Sequence, residues 1–328
     1  MLSTVRPFIR RASLVTVSAL LFVAGAAHAQ QWPVRAVRLV VPFPTGGGTD
    51  AFARPLAIKL SAQLGQQVII DNRGGAGGTI GADAVAKAAA DGYTLLLGAV
   101  HHTVAVSAYP GLSYDLEKDL LPITTVGSVP DVLVVNPKVP AHSIRELIAY
   151  SKANPGKVNY GSSGNGTTRH LAGIIFNAKT GTSMVHVPYK GSGPAMAALL
   201  GGEIDLIFEG LGSASTQIRA GRIRALAVTS PQRSPAFPEI PTMATAGVPG
   251  FESQSWYGLW VPAQTPRDIA TRLHAEVVKA LASPELQAIW AQQGAEAGGE
   301  SSEQFARFIR SEIEKWGTVV RQNKIVIE

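Results

Sequence analysis

Short apolar runs alternate with longer amphipathic or alanine-rich segments along most of the chain. Val37–Val41 is apolar, β-branched and followed by Pro42, which predicts a buried parallel strand. Asp50–Leu64 then reads as a helix, Gln67–Asp71 as a strand, Gly77–Ala89 as an alanine-rich helix and Tyr93–Leu97 as a strand. Leu121–Val135 is mostly extended and is stopped by Asn136-Pro137 and Val139-Pro140. A second alternating set follows. Ser143 is placed to cap a helix over Ile144–Ala153, with Glu146 at its third position. Strands are predicted at Lys157–Tyr160, Met184–Val187, Asp205–Phe208 and Ile223–Thr229, with helices at Arg169–Lys179, Gly193–Leu200 and Ala214–Ala220 between them. Pro231 to Pro249 is a long proline-rich connection, and Trp256–Val261 is a strand returning to the first set. The segments Pro266–Leu281, Pro284–Gln293 and Ser301–Gln322 complete the chain as helices. Such alternation indicates βαβ units and parallel sheets. The expected fold is α/β, with two lobes, each a mainly parallel sheet flanked by helices. The chain crosses between them near 125–135 and 250–260. In open α/β sheets ligands bind beyond the carboxyl ends of the strands, so a central cleft is the expected site.

The first 29 residues stand outside this pattern. Arg6, Arg10 and Arg11 precede a short apolar stretch, Ser13–Ala27, and Ala27-His28-Ala29 is a small-residue cleavage site. Residues 1–29 therefore read as a signal peptide removed after Ala29, too short to span a bilayer, and the protein as exported and not itself membrane-spanning. Loss of those three arginines lowers the formal charge from +6 to +3. With no basic run interleaved with aromatics, no nucleic-acid partner is expected. The chain has no cysteine, so disulfides, thiol nucleophiles and thiolate metal sites are absent.

The densest chemical signal is Pro42-Phe43-Pro44-Thr45-Gly46-Gly47-Gly48-Thr49-Asp50, between the first strand and the first helix. Amides in a helix's first turn lack internal acceptors, and the helix dipole is positive there, so the turn is suited to an anion. Glycines let the backbone approach a ligand closely. The competing reading is an ordinary tight turn with Thr49 as N-cap. Gly98–Thr103, Gly161–Thr168 and Val187–Gly191 are further strand ends, expected on the same edges. They offer amides and hydroxyls suited to a carboxylate. The glycine-rich Asn72–Gly78 is not a dinucleotide fingerprint, because Ile80 stands where G-x-G-x-x-G needs its last glycine. No G-x-S-x-G elbow and no H-E-x-x-H occur, and no carboxylates have metal spacing. Neither a metal nor a cofactor is expected.

Several motifs, taken in order, resemble one family. They are Pro42-Phe43-Pro-x-Gly-Gly-Gly-Thr-Asp50, Gly161–Thr167 with His170-Leu171-Ala172, His186–Gly191, Gly201–Asp205, Ala220–Val228, Pro238-x-x-Pro-Thr242 and Gly247–Phe251. The family is that of the Bug-type extracytoplasmic receptors of tripartite tricarboxylate transporters, and the resemblance covers essentially all of the chain after the leader. It implies a type II-like periplasmic binding protein, monomeric and without catalytic activity or cofactor. Such a receptor closes over a small carboxylate-bearing solute and hands it to a membrane permease with one large and one small subunit. By that resemblance residues 30–130 with 254–328 form the carboxylate-anchoring lobe and 131–253 the closing lobe. A ligand carboxylate would meet Gly46, Gly47, Gly48 and Thr49, with Ser162, Ser163, Asn165, Gly166 and Thr167 supplied by the second lobe. Thr45, the segment Phe208-Glu209-Gly210 and His101-His102-Thr103 depart from the usual pattern, where the distal end of a ligand would be read.

Individual residues carry paired readings. Asp50 either orients the glycine turn or touches ligand; Phe43 either stacks on the ligand or packs in the core. His101 or His102 donates to a second carboxylate or sits on a surface loop. Tyr189 offers its hydroxyl to the cleft, while Lys190 points to water. Glu209 either faces the cleft, disfavouring a second carboxylate, or pairs with Arg169 as a structural group, which is preferred. Of Trp256, Tyr257 and Trp260, either one ring caps the cleft or, as preferred, they serve core or hinge packing. Two alternatives of other kinds are an exported hydrolase of small esters or amides using Ser162 or Ser163, and a sensor presenting its ligand to a membrane kinase.

Overall fold

The computed structural model describes residues 32–292, 294–323 and 325; the expected leader and its cleavage site lie outside them, as does the predicted helix end at Gln293. Residues 1–34 and 35–328 form separate units, and of the first only residues 32–34 are described.

In the larger unit the first elements are β1 (Val37–Val41), α1 (Gly48–Leu64), β2 (Val68–Asn72), α2 (Thr79–Ala86), β3 (Thr94–Ala99) and α3 (His101–Ala108). The chain continues through β4 (Leu120–Val135), α4 (Ile144–Ala153), β5 (Asn159–Ser162), α5 (Thr168–Thr180), β6 (Val185–Pro188), α6 (Ser192–Gly201), β7 (Leu206–Gly210), α7 (Leu211–Arg219) and β8 (Arg224–Val228). After the proline-rich connection come β9 (Gln254–Pro262), α8 (Arg267–Leu281), α9 (Pro284–Ala291), β10 (Glu296–Ala297) and α10 (Ser302–Gln322).

β1 lies between β2 and β3, all parallel, and β9 runs antiparallel between β3 and β4. In the other half β5 is parallel to β6 and β7, while β4 is antiparallel to β7 and β8. β4 therefore belongs to both halves. It pairs with β9 from Leu120 to Pro130, then with β7 and β8 from Asp131 or Val132 to Val135. Pro130 falls where the partners change, and a residue with no N–H cannot donate to a continuing ladder.

Each half has its own core. Val40, Leu96, Val104, Trp256, Trp260, Phe305 and Trp316 cluster in one; Leu133, Ile144, Leu147, Phe176, Phe208 and Phe251 cluster in the other. α10, capped by the reciprocal Ser301–Gln304 pair, closes over the first core. Trp256 Nε1 donates to Glu312 Oε2 at 2.9 Å, so the indole is core-packed with its polar edge satisfied.

Asp131 pins the crossing. Its buried carboxylate accepts from Ser253 Oγ at 2.9 Å and Ser255 Oγ at 2.6 Å. Its carbonyl accepts from Thr229 N at 2.8 Å and Thr229 Oγ1 at 2.9 Å. The outgoing strand and the returning segment are thus tied at one point.

Two local expectations are corrected, and one element was not anticipated. α1 starts at Gly48 with Gly47 as N-cap, not with Thr49, because Gly46 at φ 86° completes the reversal and Gly47 is already extended. Gly98–Thr103 is not a loop: β3 runs to Ala99 and α3 begins at His101, where Thr103 Oγ1 donates to Val100 O at 2.7 Å. Burial of both histidines overrides the weak helix propensity of His-His-Thr. β10 has only two residues and no periodicity to betray it; it exists by pairing with Gly127 and Ser128.

Candidate functional site: an inter-lobe cleft at two helix starts

The β1–α1 turn faces the second half of the molecule. Thr45 and Gly46 are exposed, whereas Gly47, Gly48, Thr49 and Asp50 are buried. Asp50 holds the turn: its carboxylate accepts from Gly46 N at 3.0 Å, Arg54 Nε at 2.7 Å, Arg54 Nη2 at 3.0 Å and Asn72 Nδ2 at 3.2 Å. Burial alone would raise its pKa, but Arg54, the Gly46 amide and Asn72 together hold it below the usual value. Asn72 Nδ2 also donates to Phe43 O at 2.9 Å, linking the ends of β1 and β2. Asp50 is therefore fully used in shaping the turn. Among the described residues no protein acceptor meets the N–H groups of Gly47, Gly48, Thr49 or Asp50.

Opposite this turn is the start of α6. A Cβ on Gly47 would lie 3.6 Å from Ser192 Cβ, and one on Gly193 would lie 3.4 Å from Thr45 O. Further out, Tyr109 Oη donates to Asn165 O at 2.9 Å, and a Cβ on Gly77 would come within 2.9 Å of the same oxygen. The cleft is closed. Its mouth is a cavity of about 580 Å³ walled by Phe43, Pro44, Asn72, Gly74–Gly77 and Tyr109 on one side, and by Ser163, Gly164, Asn165, Pro188, Tyr189 and Lys190 on the other.

The sequence-selected residues divide. Phe43, Ser163, Asn165 and Tyr189 line the cavity, and Lys190 lines it as well. Phe43 meets the His101 ring edge-on at 4.6 Å, and His101 Nε2 is buried without a hydrogen-bond partner. Burial lowers the pKa of His101 well below the usual value, helped by its coupling to His102 and by the positive charge of Arg169. His102 and Thr103 belong to the core. His102 Nδ1 is 3.2 Å from Tyr114 Oη, and burial lowers its pKa to about 3.

Ser162, Gly166 and Thr167 shape the β5–α5 turn. Thr167 caps α5 and its Oγ1 donates to Gly164 O at 2.7 Å; Gly166 N donates to His170 Nδ1 at 3.2 Å. Ser162 Oγ lies 2.7 Å from His186 Nε2, accepts from Gly164 N at 3.1 Å and donates to Gly164 O at 3.0 Å. His186 stacks on His170 at 4.0 Å, and burial lowers their pKa values to about 3 and about 4. This is a serine–histidine contact sealed inside a turn, with Ser162 only 1% exposed.

Glu209 is buried and does not reach the cavity. Its Oε1 accepts from Gly210 N at 3.0 Å and Ser213 Oγ at 2.6 Å and lies 2.8 Å from Arg169 Nη2. Arg169, Ser192 and Tyr109 were not singled out as ligand-facing from the sequence, and Tyr257 was one of three rings weighed as a cap; Tyr109 lines the cavity, while Ser192, Tyr257 and Arg169 lie against the glycine turn. Arg169 left a signal: a cation in the first turn of a helix opposes the dipole and calls for a compensating partner. Tyr257 sits on β9 with its ring stacked 4.4 Å from Phe52, and its hydroxyl would lie 2.2 Å from a Cβ on Gly48. Among the described residues no group of histidines and carboxylates could hold a metal, and no helix is long and apolar enough to cross a membrane.

Two lobes joined through a shared strand, with glycine-rich strand ends meeting across a cleft, define a periplasmic binding protein fold. The chain matches the model of the tripartite tricarboxylate transporter family receptor over residues 52–325, and it belongs to that family. It is 42% identical over 302 residues to the protein BugT of Bordetella pertussis, covering 92% of this chain and 93% of BugT. The structure of Rpa4515 from R. palustris with adipate matches with a TM-score of 0.87 at 39% identity, covering 90% of this chain and 99% of that one. MatC (Rpa3494) from Rhodopseudomonas palustris with bound malate matches with a TM-score of 0.84 at 32% identity, over 88% and 100%.

Proposed function

We propose that this protein is a periplasmic receptor that captures a small organic carboxylate in the inter-lobe cleft and delivers it to a permease with large and small membrane subunits. The observation that carries the reading is the set of acceptor-free amides from Gly47 to Asp50, in a turn that abuts the opposing lobe. A carboxylate there gains charge-assisted hydrogen bonds and a favourable dipole, each helix-terminus contact contributing about 0.3–2 kcal/mol. Micromolar binding needs about 8 kcal/mol, so several contacts drawn from both lobes must act together. The ligand then stabilises the closed form by its differential affinity. The adipate and malate held by Rpa4515 and MatC support a carboxylate as the solute class.

In this reading residues 30–130 and 254–328 make the anchoring lobe and 131–253 the closing lobe. Phe43, the Gly46–Thr49 turn and His101 act from the first; Ser163, Asn165 and Tyr189 act from the second. Ser162, Gly166, Thr167 and Asp50 hold the loops in place. The receptor is exported by cleavage after Ala29 and works as a monomer without catalysis. The Ser162 hydroxyl, held by Gly164 and His186, is not presented to solvent, so activated esters should give neither burst nor turnover. The direct test is calorimetry and thermal shift with mono-, di- and tricarboxylates. Saturation at one hundred times Kd adds about 2.7 kcal/mol of stability. A panel-wide absence of shift would remove the proposal.

A further inference from the structure

Arg169 is a nearly buried cation, its side chain 11% exposed, placed where the fold already concentrates positive potential. α1 and α6 bring their N-termini together, with the Gly47 Cβ position 3.6 Å from Ser192 Cβ. Arg169 Nη1 donates to Ser192 Oγ at 2.7 Å. Its Nη2 would be 3.7 Å from a Cβ on Gly48 and 3.3 Å from one on Gly210, the N-cap of α7. A guanidinium thus stands among three helix starts, each carrying partial positive charge.

The acids nearby do not absorb all of this. Glu209 forms the ion pair with Arg169 but is also held by Gly210 N and Ser213 Oγ within its own lobe. Asp131 is committed to Ser253 and Ser255, and Asp50 to Arg54, Gly46 and Asn72. Meanwhile Arg169 Nε is buried and makes no hydrogen bond, Nη2 faces Glu209 Oε1 at 2.8 Å with the Tyr257 hydroxyl beside the guanidinium, and His101 Nε2, whose residue is 5% exposed, has no hydrogen-bond partner. A buried donor without a partner is costly, and an anion satisfies several at once. Arginine suits this better than lysine, because its planar fork pairs with both oxygens of a carboxylate.

We propose that Arg169 is the ligand-contacting cation of the closing lobe, sharing one carboxylate of the solute with the free amides of the Gly47–Thr49 turn, and that Glu209 is the positioning residue that aims it. This rests on the carboxylate reading above and extends it. One carboxylate spans the cleft between an anchoring-lobe amide cradle and a closing-lobe guanidinium, so the charge itself latches the lobes. A second carboxylate is not required by this contact.

The test uses calorimetry and solution scattering with adipate and with hexanoate, which share a six-carbon chain and differ by one carboxylate. The wild type is expected to bind and become more compact. Arg169→Gln should weaken that binding by about 100-fold, in the range found when one partner of a buried charge pair is removed, and should stay extended at saturation. Arg169→Lys should recover part of the affinity. Because Arg169→Gln leaves Glu209 unpaired, the double variant Arg169→Gln/Glu209→Gln removes both charges and preserves folding. It too should lose binding and compaction. If either glutamine variant binds and compacts like the wild type, Arg169 is structural and the inference is overturned while the carboxylate reading stands. If the wild type binds neither these nor any other carboxylate of the panel, both fall together.

Discussion

Replacing Gly48 by alanine gives a sharp test of how tightly the anion turn is built. The added Cβ would sit 2.2 Å from Tyr257 Oη and 3.3 Å from Tyr257 Cζ. The first distance is impossible and the second merely tight, so the conflict lies almost wholly with the hydroxyl. Tyr257 cannot swing aside easily: it is 3% exposed, lies on β9 and stacks on Phe52 at 4.4 Å. Forcing one carbon into such a site costs about 1–3 kcal/mol. The slightly better helix propensity of alanine offsets a few tenths at most. The assay is a double-mutant cycle in urea with Tyr257→Phe. Gly48→Ala alone should lower stability by about 2 kcal/mol, and in the Tyr257→Phe background by less than about 0.5 kcal/mol, a coupling above about 1 kcal/mol. Equal costs in both backgrounds would refute the packing of Tyr257 against the α1 start. The same pair separates fold from function. The double variant should remain folded, yet bind carboxylates more weakly, because the methyl group still occupies the cradle.

Three further outcomes are expected. Gly47→Val places its Cβ in ordinary contact with Ser192 of the opposite lobe and with Pro44 O, so it should cost at most about 1 kcal/mol of apo stability as a poorer N-cap while reducing carboxylate affinity more than tenfold; unchanged affinity would show that the turn does not approach the opposite lobe. Asp50→Asn breaks the Arg54 pair and weakens the Gly46 contact and should cost about 1–3 kcal/mol by urea denaturation. Because the folded pKa of Asp50 is lowered, its stabilisation is present above the unfolded value near 3.9 and is lost as pH falls through the folded one; an unaltered acid limb in Asp50→Asn would contradict this. His102 is held neutral with a pKa of about 3. The unfolded chain, with histidine near 6.5, binds the extra proton first as pH falls, so stability should decline below about pH 6.5 by up to about 1.4 kcal/mol per pH unit. In His102→Gln that share of the slope should vanish from urea midpoints taken between pH 6.5 and 4.

Part of the candidate site's architecture was readable before any coordinates. Pro42–Asp50 was legible as a glycine-rich strand-to-helix turn because glycines, a preceding strand and a following helix are all local properties. The two α/β sets and the separate returning strand were readable for the same reason. The Ser143 cap is likewise written in four consecutive residues, and Ser143 Oγ does accept from Glu146 N at 3.2 Å. Glu209 was correctly suspected of pairing with Arg169, since a lone acid at a buried strand end needs a cation. His101-His102-Thr103 misled because their apolar surroundings come from distant segments, Trp260 and Tyr114 among them.

Periodicity and turn chemistry in the sequence therefore determined most of the strands and helices and the glycine-rich turn between β1 and α1. Those features depend on neighbours within a few residues. The tertiary structure decided that β4 serves both halves, that Gly48 abuts Tyr257, and that Arg169 stands opposite the glycine turn with its Nε unpartnered. Gly48 and Arg169 are separated by more than a hundred positions in the chain, and only sheet pairing and lobe closure bring them together. Their joint electrostatics are a property of that convergence, and no local pattern encodes it.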